Sequence, residues 1–290
     1  MRAFSCLFFV LLLITSRPSF PCDSTEQCLD ANQWQVGLAV GLGGKSNPLV
    51  DGDTIPLILL PDIAWYGEAA YFDNGELGWQ WTDSPHSAFV SYVSVDNERA
   101  FFSFLHPANI FSSNGTISIS PEPGLGEPGR EPEIKENLAV SLDDVARRNW
   151  AVMAGARWYF YVKDSELHIA IEQDISGVHK GQKVAASILY PWQFADWQVS
   201  LQAQLIWKSR DLIDYYYGVS ARDGVDRSQF YQGKAGFQPS IAVTVVNPIN
   251  EQWHWLAKAS YQQLHTGMTD SPLVNKNKVY SLFFGAAYRF

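Results

Sequence analysis

The chain has 290 residues and a formal net charge of −9, which argues against a nucleic-acid partner. Aromatic residues make up 14% of it, yet the mean hydropathy is −0.12, so apolar residues are dispersed among polar ones. After the N-terminal segment no apolar run reaches the roughly 18 residues of a membrane span, so no transmembrane helix is predicted in the mature chain.

Residues 1–21 are predicted to be a secretory signal peptide. They combine one early arginine with a short apolar run from Cys6 to Ile14, although no clean small-x-small motif marks the cleavage point. Residues 22–33 would then form a periplasmic N-terminal extension. Its two cysteines, Cys22 and Cys28, either form a small disulfide loop in this oxidising compartment or remain free thiols.

Several later segments alternate apolar and polar residues with a period of two, which is typical of β-strands. In residues 197–208 the apolar face begins and ends with tryptophan, whereas the opposite face is rich in glutamine. The same division recurs in residues 34–43, 150–161, 166–172 and 253–262. A soluble sandwich has no reason to place tryptophan at both ends of a buried stripe. The pattern therefore indicates a barrel with one face toward lipid and the other toward a polar lumen.

The sequence predicts an all-β fold, a transmembrane antiparallel up-and-down β-barrel of about 12 strands over residues 34–290. Strands are expected at 33–43, 55–66, 70–81, 88–95, 99–105, 149–162, 166–176, 182–192, 197–208, 237–246, 253–263 and 278–290. The longer connections would be 44–54, 82–87, 106–148, 177–181, 209–236 and 264–277, and the tight ones 67–69, 96–98, 163–165 and 247–252. Long loops at one rim and short turns at the other predict the outer membrane, with both termini in the periplasm.

Two segments depart from the regular pattern. The second strand contains Pro56 and Pro61, which cannot donate to a hydrogen-bond ladder and so indicate a strand rim or a bulge. The connection 106–148 contains EPGLGEPGREPE, whose proline, glycine and glutamate content is typical of a mobile extracellular loop.

Six polar side chains fall on the predicted lumen faces and are candidates for a function inside the barrel. They are Arg157, His168, Glu172, Lys208, His254 and Lys258. A barrel of about 12 strands is narrow, so long side chains of opposite charge can pair across it and close it. If they line one wall instead, a small polar solute could pass. No histidine stands beside a serine in a nucleophile motif and no Cys/His cluster has metal-ligand spacing, so no enzyme activity, metal or cofactor is predicted.

Three stretches resemble the MipA/OmpV family of Gram-negative outer-membrane proteins. They are DDVARRNWAVMAGARWY at 143–159, DYYYGVSARDGVDRSQFY at 214–231 and TDSPLVNKNKVYSLFFGAAYRF at 269–290. The resemblance implies an outer-membrane barrel and, for the family's namesake, a scaffold between a lytic transglycosylase and a peptidoglycan synthase. Other members are described as antigens, adhesins or stress-linked proteins. A scaffold is the first hypothesis, and a narrow channel for small polar solutes and a surface adhesin are the alternatives.

The family blocks also supply candidate residues at the rim with the longer loops. They are Asp214, Tyr215, Tyr216, Tyr217, Gly218, Val219, Asp270, Ser271 and Pro272. The tyrosine run has three interpretations: aromatics of the membrane girdle, a plug contact, or a platform for an aromatic ligand. We expect it to fold over the barrel mouth, where the block at 269–272 lies on the same rim.

The stretch YSLFFGAAYRF at 280–290 is predicted to be the last strand, with an all-apolar face that ends in Tyr288 and Phe290. These two residues are expected to belong to the C-terminal signal that the barrel-assembly machinery recognises. Outer-membrane lipid and that machinery are thus the partners that the strand pattern predicts.

Overall fold

The computed structural model describes residues 32–103, 106–110, 140–141 and 145–290. The predicted signal peptide and the cysteines Cys22 and Cys28 lie outside these residues. No helix in the described part of the chain is long and apolar enough to cross a membrane.

The described residues form one antiparallel sheet that closes on itself. Its strands are β1 (Trp34–Lys45), β2 (Ile55–Pro56), β3 (Leu59–Tyr66), β4 (Ala70–Asp73), β5 (Glu76–Ser84), β6 (Ser87–Val95), β7 (Val152–Val162), β8 (Ser165–Asp174), β9 (Gln182–Phe194), β10 (Trp197–Lys208), β11 (Gly236–Pro248), β12 (Trp253–Gln263) and β13 (Lys278–Arg289). Consecutive strands pair along the chain, and β13 pairs with β1. Since β2 has two residues and pairs only with the end of β1, the wall is a closed 12-stranded barrel, as predicted.

The side chains alternate across the wall as the sequence pattern requires. In β13, Leu282 and Phe284 are each 57% exposed on the outside, whereas Phe283 between them is fully buried in the lumen. The outward-facing side chains are the ones that contact lipid in an outer-membrane barrel. The interruption between β2 and β3 follows Pro56, where the sequence predicted a rim or a bulge.

Two predicted strands are wrong, and the errors cancel in the strand count. The expected strand 70–81 is two strands, β4 and β5, joined by Asn74 and Gly75 with φ of 47° and 96°. The described residues 99–103 of the expected strand 99–105 form no strand, because Asn97–Phe101 is a 3-10 helix whose N-cap, Asp96, accepts a hydrogen bond from the Glu98 backbone N–H.

These corrections also reassign two connections between the rims. The long-loop rim carries the connections 46–54, 96–151, 175–181, 209–235 and 264–277, and the short-turn rim carries 67–69, 85–86, 163–164, 195–196 and 249–252. The turn 74–75 points toward the long-loop rim but lies partway along the wall, where Asn74 bonds to Asp62 and Ile63 of β3. The predicted long connection 82–87 is thus a turn of the short-turn rim, and the predicted turn 96–98 begins the longest loop. The described residues of the long-loop rim form three short α-helices: α1 (Pro107–Ile110), α2 (Arg210–Tyr217) and α3 (Thr266–Thr269).

The lumen has an apolar half and a polar half. The apolar half, next to β1 and β13, is filled by a cluster that includes Leu60, Leu256 and Phe283. Gly41 leaves the room that this cluster needs, because a Cβ there would lie 2.2 Å from the carbonyl oxygen of Phe284 and 2.8 Å from the Phe283 ring. The polar half faces the strands from β3 to β10 and contains the charged side chains described next.

Candidate functional site

The mouth of the barrel at the long-loop rim is covered by a packed apolar cluster, called the cap below. Its members are Leu49, Phe101, Val140, Leu212, Ile213, Tyr216, Tyr217, Val219, Leu264, Met268, Leu273, Val274 and Val279. They come from most of the long connections, so no single loop closes the mouth. Helix α2 contributes one apolar face, since Leu212, Ile213, Tyr216 and Tyr217 are fully buried.

The family blocks at 214–219 and 269–272 meet in the cap. The Ser271 hydroxyl donates to the Tyr217 carbonyl over 2.6 Å and accepts from the Leu273 N–H. The Pro272 carbonyl accepts from the Val140 N–H over 3.1 Å. Of the three tyrosines, Tyr216 and Tyr217 are buried, which corresponds to a plug contact rather than a girdle or an accessible platform.

The remaining motif residues shape the loop that follows α2. Asp214 accepts the Gly233 N–H on Oδ1 over 2.7 Å, and Val219 exchanges two backbone hydrogen bonds with Tyr231. A Cβ at Gly218 would lie 2.2 Å from the Asp214 carbonyl oxygen, so the tight turn there requires glycine. Asp270 ends α3 and is exposed.

A buried ion pair anchors the same loop. Arg148 Nη1 lies 2.8 Å from Asp223 Oδ1, and the guanidinium also donates to the carbonyls of Tyr216 and Gly218. Burial by itself would raise the pKa of Asp223, but the hydrogen bonds from Arg148 and from the Ser220 N–H, together with the positive charges of Arg148 and Arg222, outweigh burial and lower the pKa. Asp223 was not a sequence candidate, because nothing in its spacing relates it to residue 148.

Below the cap, residues 96–98 turn inward and bring two carboxylates into the polar half of the lumen. We call this segment the acidic turn. Glu98 pairs with Lys208 and accepts the Tyr217 hydroxyl over 2.8 Å. Burial and Glu98 raise the pKa of Tyr217 well above its ordinary value, so its hydroxyl remains a donor. The acidic turn therefore connects the cap to the barrel wall.

The second carboxylate of the acidic turn, Asp96, contacts Lys183 of the wall and His179 of the loop that precedes it. Lys183 Nζ lies 3.0 Å from Oδ1, and His179 Nε2 lies 3.1 Å from Oδ2. Because His179 Nδ1 accepts the Gly181 N–H, the assigned proton is on Nε2 and faces Asp96. Burial alone would raise the pKa of Asp96, but Lys183 and His179 lower it below its usual range.

Further pairs continue the network into the lumen. Lys183 also lies 2.9 Å from Glu172, whose other oxygen accepts the Tyr92 hydroxyl over 2.8 Å. Arg157 makes two hydrogen bonds, of 2.9 and 3.1 Å, to the two oxygens of Glu76 and lies over the Tyr92 ring. Bidentate pairing of this kind fixes both side chains.

Of the six lumen candidates, the structure brings Arg157, Glu172 and Lys208 into these pairs. His168 lies in the polar half, edge-on to Tyr159 at 5.5 Å between ring centroids. His254 and Lys258 lie on β12, the strand that supplies Leu256 to the apolar half. Among the described residues, no group of three or more His, Cys, Asp or Glu side chains is arranged to hold a metal ion.

The two C-terminal aromatics lie at the short-turn rim. The Phe290 N–H donates to the Val36 carbonyl over 2.9 Å, while its side chain is 75% exposed. Its ring meets Tyr288 edge-on at 4.8 Å, and Tyr288 packs on Trp253 at 5.0 Å. Together they form part of the outward-facing aromatic surface at this rim.

A closed antiparallel barrel with an apolar, aromatic outer surface and a polar half-lumen defines the class of outer-membrane β-barrel proteins. The family model described as MltA-interacting protein MipA matches residues 36–290, and the chain belongs to this family of outer-membrane proteins.

Several named proteins are similar to the chain. The putative outer membrane protein YiaT of Escherichia coli (strain K12) is 24% identical over 157 residues, which are 53% of this chain and 63% of YiaT. The outer membrane protein OmpV of Vibrio cholerae is 21% identical over 53% of this chain and 60% of OmpV. The MltA-interacting protein of E. coli (strain K12) is 24% identical over 51% of this chain and 59% of that protein. The match thus spans less than two thirds of each relative.

Solved structures with a similar chain trace include the NanC porin and the translocator domain of the autotransporter NalP from Neisseria meningitidis. NanC is 7% identical, with a TM-score of 0.41 over 88% of this chain and 98% of NanC. The NalP domain is 9% identical, with a TM-score of 0.38 over 90% of both chains.

Proposed function

We propose that this outer-membrane protein is a non-enzymatic scaffold linked to the peptidoglycan machinery, with the short-turn rim and both termini in the periplasm. The observation that supports this proposal best is the cap, with the acidic turn beneath it. Tyr216, Tyr217, Lys208 and Asp96 are buried where an open pore would need water. A barrel closed at one mouth acts through its surfaces, and the family relative named MltA-interacting protein suggests a lytic transglycosylase as a partner.

The surface available to a periplasmic partner is the set of short turns. Each turn has an exposed carboxylate within it or at the end of the strand that precedes it, and together these are Glu68, Asp83, Asp164, Asp196 and Glu251. Exposed charges at the rim of an interface mainly increase the association rate and select the partner. The proposal therefore assigns partner contact to these turns and none to the cap.

The test is an affinity capture from detergent-solubilised envelopes, with the tagged protein as bait and mass spectrometry as the readout. We expect a lytic transglycosylase and a peptidoglycan synthase to be enriched over a tagged unrelated barrel. The variant Glu68→Gln, Asp83→Asn, Asp164→Asn, Asp196→Asn and Glu251→Gln should lose most of that enrichment. Recovery of only the barrel-assembly machinery by the unmodified protein would contradict the scaffold.

A matched control removes the same number of negative charges from the other rim. Its substitutions to asparagine are at Asp51, Asp53, Asp211, Asp226 and Asp270, all of which are exposed on the long-loop rim. This variant should capture the same proteins as the unmodified barrel. If both variants lose the partners equally, net charge rather than the short-turn rim determines capture.

A further inference from the structure

The polar half of the lumen contains a cavity of about 330 Å³ that the scaffold proposal does not use. It begins at the acidic turn, near Asn97, and continues toward the short-turn rim as far as Tyr161 and Glu166. Its volume lies at the lower end of the range for small-molecule pockets. The cavity is therefore large enough for a small ligand and lies on the uncapped side of the barrel.

The lining of this cavity combines aromatic rings with amides. Its tyrosines are Tyr66, Tyr71, Tyr159 and Tyr161, and its amides are Asn74, Asn97, Gln80, Gln202 and Gln204. Tyr159 and Tyr161 are nearly parallel, with 7° between their planes and 6.4 Å between centroids. Each amide both donates and accepts hydrogen bonds, as hydroxyl groups do. A ligand with apolar C–H faces and hydroxyl edges matches this combination.

The charges of the cavity determine which ligands it disfavours. Two of its carboxylates are neutralised, Glu76 by Arg157 and Glu172 by Lys183. Asp73 and Glu166 also line the cavity, so its net charge is negative. Anionic ligands are repelled by this field, and an acyl chain would leave the amides and carboxylates without hydrogen bonds.

We infer that the lumen binds a short saccharide, neutral or carrying an amino group, which enters from the short-turn rim. Sugar rings have the C–H faces that pack on Tyr159 and Tyr161 and the hydroxyls that bond to Gln202 and Gln204. The inference does not depend on the proposed function, because it concerns the lumen and not the outer surface of the turns. A barrel without protein partners would still bind the sugar.

The test is saturation-transfer NMR on the purified, folded barrel in a detergent without a sugar headgroup. Cellobiose and N,N′-diacetylchitobiose are the neutral probes, glucosamine is the cationic probe, and glucuronic acid is the anionic probe. We expect transfer to the first three and little to glucuronic acid. No transfer to either neutral disaccharide, or equal transfer to glucuronic acid, would overturn the inference.

Variants locate the binding. Tyr161→Ala should weaken binding about tenfold, since it removes an aromatic contact surface. Gln204→Leu keeps the volume, removes the amide, and should weaken binding as well. Tyr190→Ala is the matched control, because Tyr190 is 51% exposed on the outer surface. If the control weakens binding as much as Tyr161→Ala does, or if both lumen variants bind as the unmodified barrel does, the site is not in the lumen. Heat-modified gel migration shows which variants are folded.

Discussion

At the scale of single residues, the pair between Lys208 and Glu98 holds the acidic turn in the lumen. Both side chains are almost completely buried, and Lys208 also contacts Gln238. Lys208→Met should destabilise the barrel by about 3–5 kcal/mol, because it leaves the Glu98 carboxylate buried without its cation. Urea unfolding of the refolded barrel measures this change.

Two further variants show whether the destabilisation arises from the unpaired charge. The double variant Lys208→Met, Glu98→Gln should recover much of the stability, since no buried charge remains without a partner. Lys278→Met removes an exposed lysine and should change the free energy of unfolding little. If the double variant is no more stable than Lys208→Met, the pair does not carry the stabilisation assigned to it.

The same pair shows what the sequence can predict about the site. The period-two pattern of β10 placed Lys208 in the lumen, and the structure agrees. Its partner Glu98 was assigned to a tight turn, because the apolar run that follows it was interpreted as a strand. The alternation of apolar and polar residues determines which face of a strand a residue occupies, but it does not predict which loop folds back into the lumen.

At the scale of elements, the loops of the long-loop rim contain two histidines that are held neutral. His106 stacks on Trp150 at 4.7 Å, and burial lowers its pKa to about 4. Burial and the nearby Lys208 lower the pKa of His265 to about 4 as well. Both residues lie in loops of the long-loop rim.

This depression of the pKa predicts that the barrel loses stability in mild acid. Between about pH 6.5 and pH 4 these two histidines bind protons in the unfolded chain but not in the folded barrel, so the free energy of unfolding falls as the pH is lowered. Asp96 and Asp223 add to this loss only below about pH 4, since their folded pKa values are depressed. The variant His106→Gln, His265→Gln should show a flatter profile between pH 6.5 and 4 in unfolding titrations. An unchanged slope would place the titrating groups elsewhere.

Two elements show why the sequence pattern alone does not predict every strand. Asn74-Gly75 is a strong hairpin signal, yet it lies within a stretch whose alternation continues on both sides, so β4 and β5 were predicted as one strand. Residues 99–105 have the apolar content of a strand, but Asp96 is the N-cap of a 3-10 helix that forms there instead. The twelve-stranded wall was predicted correctly only because these two errors offset each other in the count.

At the scale of the whole molecule, two layers close the barrel near the long-loop rim, and a cavity lies toward the short-turn rim. The cap is apolar, the acidic turn beneath it is charged, and the apolar cluster around Phe283 fills the other side of the lumen. Water and ions that cross the polar half would have to displace both the cap and the acidic turn. The closed state thus results from packing of loops that are far apart in sequence, which is why the sequence left a channel and a closed lumen as equal alternatives.

The closed lumen predicts that the purified protein gives no discrete current steps in a planar bilayer. Replacing α2 (Arg210–Tyr217) with a Gly/Ser segment of equal length removes four buried cap residues and should produce steps. Replacing the largely exposed residues 224–229 in the same way is the control and should leave the bilayer silent. Steps from the unmodified protein, with an ion selectivity that Arg157→Ala changes, would instead establish the channel, because that side chain lines the lumen cavity between the rims.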